Sequence, residues 1–86
     1  MLQTARKFGM EMSREQCRAA RALLKMSQEK LAAAAGVSVA TVMNFELQTR
    51  RNVSPENVQA MRIVLEVQGA MFGDDGGVRL RTGKRR

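Results

Sequence analysis

SQEKLAAAAGVSVATVMNFE, residues 27–46, reads at helical spacing as two short amphipathic helices joined at Gly36. Ser27 is placed to cap the first, because its hydroxyl oxygen can accept from a backbone N–H that has no partner within the helix. Gln28 and Glu29 follow in the first turn, where oxygen atoms and negative charge complement the positive end of the helix dipole. Leu31 and Ala35 fall on one face, and Ala32 is small enough for a neighbouring backbone to come close. Gly36 adopts positive φ at no steric cost, so the chain can leave one helix and turn sharply into another. Val37 directs an apolar group inward, Ser38 can cap the second helix, and Val42 and Phe45 continue the inward face. Val39, Ala40, Thr41, Met43 and Asn44 are left on the outward side.

This arrangement resembles the helix-turn-helix of the lambda-repressor/Cro-like family, the XRE-type regulators. In that family a polar residue opens the first helix, an aliphatic and then a small residue follow, a glycine and an aliphatic mark the turn, and two apolar residues anchor the second helix. Here those places hold Gln28, Leu31, Ala32, Gly36, Val37, Val42 and Phe45. The resemblance implies a mainly α fold, a lambda-repressor-like domain whose third helix enters the major groove of double-stranded DNA. It implies that an arginine of the first helix, Arg21, pairs with Glu46 at the end of the third, an ion pair that holds the scaffold rather than the DNA. Gln28 resembles the family glutamine that hydrogen-bonds a phosphate and braces its neighbours. The loop after the third helix typically contacts phosphate, and Arg50 and Arg51 supply charge there; the glycine usual soon after the glutamate is absent, its place taken by Leu47 or Gln48.

Base readout is expected from Val39, Ala40, Thr41, Met43 and Asn44. The Asn44 amide suits adenine N6 and N7, while Val39, Ala40 and the Thr41 methyl can pack on thymine methyl groups. With no Lys or Arg on that side the reader leans towards A/T. Ser38 and Thr41 join Gln28, Arg50 and Arg51 as phosphate candidates, contacts that set register rather than sequence.

Outside this stretch, Ser13-Arg14-Glu15-Gln16 has the form of a capping box and starts a helix running to about residue 25. Cys17, Ala20, Leu23 and Leu24 form its inward stripe, and Arg14, Arg18 and Lys25 can stay in solvent. Ser54-Pro55-Glu56 opens a fourth helix, with proline where its missing N–H costs nothing. Val58, Met61, Val64, Leu65 and Gln68 trace one face, and Gly69 ends it. Ile63 and Val67 widen the apolar surface beyond what a lone small domain uses, which points to a partner subunit. Ala70-Met71-Phe72 and Val78-Arg79-Leu80 then alternate about Asp74-Asp75-Gly76-Gly77, a β-hairpin or strand signal. Strands this short are marginal alone and can instead pair with the same segment of a second chain. Ile63, Val67, Met71, Phe72, Val78 and Leu80 are the expected dimer interface.

Residues 1–12 read as a flexible basic arm, 13–69 as the helix-turn-helix domain, 70–81 as the hairpin or strand, and 82–86 as a basic tail. The arm can fray or pack on a partner, or its Arg6 and Lys7 can reach a DNA backbone or minor groove.

The composition narrows the function further. A net charge of +7 over 86 residues draws the chain to a polyanion. Residues 13–68 hold eight Lys and Arg against five Glu, whereas residues 79–86 hold five bases and no acid. Three Phe, with no Trp or Tyr, leave almost no platform for stacking single-stranded bases. One cysteine and no histidine exclude an internal disulfide and a plausible zinc cluster, and the scattered acids offer no general acid/base pair. No enzyme activity, cofactor or metal is expected. No apolar run is long enough to span a membrane, so a cytoplasmic, nucleoid-associated protein is expected. The expected function is that of a repressor or autoregulator binding an inverted repeat as a homodimer. The alternatives are an antitoxin or other protein-binding module that also binds DNA, and an architectural DNA binder of low specificity.

Overall fold

A computed structural model describes residues 12–47 and 53–81; the expected arm up to residue 11, the loop with Arg50 and Arg51, and the tail 82–86 lie outside the described residues. The order of elements is α1 (Arg14–Leu24), α2 (Gln28–Ala35), α3 (Val39–Leu47), α4 (Pro55–Gln68), β1 (Ala70–Phe72) and β2 (Val78–Leu80).

All four helices start with one local pattern: an apolar residue, a serine, and a second apolar residue four places beyond the serine. The sets are Met12, Ser13, Cys17; Met26, Ser27, Leu31; Val37, Ser38, Val42; and Val53, Ser54, Val58. Each serine oxygen accepts from the N–H three residues on, at Gln16, Lys30 and Thr41 (3.0 Å each) and at Asn57 (3.2 Å). Each such cap stabilises its helix by about 1 kcal/mol. The apolar pair occupies the two places of a hydrophobic staple, which sets the angle at which the chain enters the helix. Met12, expected in the arm, is therefore part of the core, where it is buried with Cys17.

Two left-handed residues end the first helices. Gly36 (φ 74°) closes α2, and a Cβ there would meet nothing within 4 Å, so glycine is required by its dihedral angle and not by lack of space. Lys25 (φ 57°) closes α1 at a backbone cost of roughly 1 kcal/mol, offset by the Met26 N–H bonded to the Arg21 carbonyl and by a cation at the negative helix end.

Leu31, Val42, Met61, Leu65 and Cys17 fill the centre. α2 packs on α3 and α4, and α1 lies across α3, α4 and the hairpin. Two expected inward positions are corrected. Leu23 is exposed, because the stripe that α1 buries runs through Cys17 and Ala20 to Leu24 and leaves Leu23 to one side. Gln68 is exposed at the last turn of α4.

The strands pair with each other, antiparallel, with Ala70 opposite Leu80, Met71 opposite Arg79 and Phe72 opposite Val78. The turn is closed by Gly76 N–H on the Gly73 carbonyl and by Gly77 N–H on Asp75 Oδ1. What such short strands lack, α1 supplies. Gln16 Nε2 donates to the carbonyls of Gly73 (3.0 Å) and Gly77 (3.2 Å), while its Oε1 accepts the Ser13 N–H. Ala70 is buried, and Phe72 and Val78 pack partly buried on the core. Arg62 lies 5.0 Å from the Phe72 ring centre, a cation–π contact that covers the same strand from α4.

Candidate nucleic-acid interface

α3 presents one side to the core and one to solvent, and a buried carboxylate fixes which is which. Glu46 is 1% exposed although it stands next to the 62% exposed Leu47. Its Oε2 accepts from Arg21 Nε (2.7 Å) and Cys17 Sγ (3.1 Å), and its Oε1 from Arg21 Nη2 (2.8 Å) and Gln28 Nε2 (3.0 Å). Arg21 also donates through Nη1 to the Met26 carbonyl, just before the cap of α2. One guanidinium thus joins α1, the entrance to α2 and the end of α3. Arg18 adds a fourth tie, its Nη1 donating at 2.7 Å to the main-chain carbonyl of Glu46.

Burial alone would raise the Glu46 carboxyl; hydrogen bonds from Arg21, Cys17 and Gln28 outweigh it and hold the group below the usual carboxylate range. The hydrogen bond to Glu46 raises Arg21 above its already high value. Burial first, and the neighbouring carboxylate second, push the Cys17 thiol far above its ordinary range, so it is a neutral donor inside the core.

With Glu46, Val42 and Phe45 turned inward, Ala40, Met43 and Leu47 are exposed and Thr41 and Asn44 half-buried. Val39 departs from its expected outward position and packs partly buried against the core. Ser38 Oγ takes the Thr41 N–H and shares a 2.9 Å hydrogen bond with Thr41 Oγ1, so both hydroxyls take part in the cap of α3. Asn44 has no hydrogen-bond partner among the described residues, and its amide is free for an external ligand. Gln28 Nε2 is committed to Glu46, which leaves its carbonyl oxygen and second amide hydrogen at the start of α2. Arg50 and Arg51 lie outside the described residues.

Of the expected dimer residues, Ile63 (48%) and Val67 (69%) on α4, with Met71 and Leu80 on the hairpin, are exposed. Phe72 and Val78 are partly covered by their own chain. Three participants escape a reading of the sequence. Arg18 binds a main-chain carbonyl, a partner that leaves no trace in residue types. The Cys17 thiol reaches Glu46 only once α1 and α3 are packed. Gln16 is legible as a capping residue but not as the clasp of the hairpin.

Two consecutive helices joined by a left-handed glycine, with the second carrying an open outer face, are matched by a helix-turn-helix family model over residues 18–71, more than half of the chain. The chain belongs to the Cro/C1-type helix-turn-helix family. No curated protein matches it. Membership in this XRE family makes the chain a DNA-binding helix-turn-helix regulator, of a kind not normally enzymatic. Among the described residues no group of His, Cys, Asp and Glu is arranged to hold a metal ion, and no helix is long and apolar enough to cross a membrane. α1, α2 and α3 of this Cro/C1-type protein are joined through Glu46, so the outer side of α3 is held as part of a rigid body.

Proposed function

We propose that this chain is a sequence-specific transcriptional regulator, a repressor or autoregulator, that binds an inverted-repeat operator as a homodimer with α3 in the major groove. The observation that carries the reading is Asn44: a half-buried amide with no hydrogen-bond partner among the described residues, on the outer side of a helix whose only acid is locked into the scaffold. An unpaired amide in that place suits the bidentate pattern of adenine. Gln28 and Ser38 at the starts of α2 and α3, with Arg50 and Arg51, serve as the phosphate contacts that set register.

One recognition helix spans few base pairs, and a two-fold pair reads twice as many. Ile63, Val67, Met71 and Leu80 supply the exposed apolar surface for the pairing, with Phe72 and Val78 beneath. The recognition helices of such a dimer stand about 34 Å apart, one turn of DNA.

The test is a binding selection on random duplexes at stated salt, with sedimentation of the protein alone and with the selected duplex. An inverted-repeat consensus bound by two copies is expected. Binding without sequence enrichment identifies an architectural binder and overturns the proposal, and one copy per selected duplex overturns the dimer.

A further inference from the structure

The outward side of α3 has a narrow chemistry. Its exposed side chains are Ala40, Met43 (41% exposed) and Leu47, with no charge among them. Thr41 has its hydroxyl bonded to Ser38, and Val39 is drawn against the core. Asn44 alone offers a free polar group. Such a surface can read one base edge by hydrogen bonds; elsewhere it sets hydrocarbon and thioether atoms against the groove floor.

The floor of the major groove consists of donors and acceptors, which lose water without compensation when covered by apolar atoms. One group there is apolar, the methyl at C5 of a pyrimidine. We propose that the group recognised by Ala40 and Met43 is this C5-methyl, carried by thymine or by 5-methylcytosine alike. The inference rests on the reading that α3 occupies the major groove. Met43 is suited to the contact because an unbranched thioether chain adapts its path to a small apolar target. The two bases differ in the neighbouring exocyclic group, an acceptor in thymine and a donor in 5-methylcytosine. Telling them apart needs a polar side chain at that point, and at Ala40 and Met43 there is none. Cytosine methylation would then create binding sites for this protein, where a reader relying on polar contacts would be blocked.

The experiment begins with the duplex obtained from selection on random DNA. Each thymine of one half-site is replaced in turn by deoxyuridine, which keeps the base-pairing edge and removes only the methyl, and affinity is read by fluorescence anisotropy at fixed salt. About fourfold weaker binding is expected at one or two positions, the loss of one buried methyl-sized contact. In Met43→Ala or Ala40→Ser the penalty at the corresponding position should vanish, with thermal melting of each variant showing that it is folded. Where cytosine replaces a sensitive thymine, 5-methylation of that cytosine should recover about fourfold.

An enriched operator that binds equally with uracil at every position overturns the methyl proposal and leaves α3 as the reader. A methyl effect unchanged in both variants overturns the assignment to Ala40 and Met43. Absence of any enriched sequence overturns this proposal together with the reading beneath it.

Discussion

Glu46 shows how one residue can be decisive for the fold and absent from the interface. Its carboxylate takes four side-chain hydrogen bonds from α1 and α2, and it faces away from the open outer side of its own helix. In the unfolded chain a glutamate titrates at about 4.3. Because the folded value is lower, the stability this group contributes is fully present above that pH and is lost as pH falls through the depressed folded value. The urea midpoint of the protein should therefore decline below about pH 5, and Glu46→Gln, less stable at neutral pH, should decline less. Parallel acid profiles for the two proteins would show that another group governs acid unfolding. Asn44 is the complementary case, a residue with no hydrogen-bond partner among the described residues and hence little effect on stability. Asn44→Ala should change stability by no more than ~0.5 kcal/mol while relaxing preference at one base pair by about 1–3 kcal/mol. Competition with single-base operator variants decides this, and discrimination unchanged at every position removes Asn44 from the readout. The Arg21–Glu46 pair was legible through the family pattern because both partners are side chains at fixed offsets. Arg18 and Cys17 were not, since their roles depend on a carbonyl and on interhelix packing.

At the scale of the element, the helices were legible because their signals are local. Serine caps, the Pro55 start and the Gly36 turn each act within one turn of chain, and the hairpin follows from alternation around a glycine-rich centre. What holds the hairpin down was not legible. Gln16 and the turn it binds are 57 and 61 residues apart, and no local pattern announces a contact of that separation. The two uses of Gln16 can be separated by experiment. Gln16→Glu keeps an oxygen for the Ser13 N–H but removes the amide donor and sets a carboxylate against two carbonyls. Faster amide exchange is expected at Gly73 and Arg81, whose N–H groups close the ladder at its two ends, with protection of the Leu31 amide in α2 unchanged. Equal acceleration everywhere would mean that the hairpin and the helices open as one unit. Leu23 marks the limit of periodicity: on a short helix, one residue of rotation decides between core and solvent.

For the molecule as a whole, the unspent surface is apolar on α4 and on the hairpin. Substitutions at sites as open as Val67 change the stability of a single folded chain by at most ~0.5 kcal/mol. In the proposed dimer, Val67→Lys should therefore leave the single chain folded while shifting sedimentation towards it and weakening operator binding. If the variant still sediments as a dimer, the two-fold contact lies elsewhere.

The Gln16 clasp also has a temporal meaning. Ribosomes deliver Ser13 and its helix before the glycine carbonyls that complete the clasp. Until residue 77 has been made, the Gln16 amide lacks the two carbonyls that it holds in the folded chain, and the ring formed by helix and hairpin cannot shut. In a nascent chain the residues of α1, α2 and α3 are therefore all present before the ring can close.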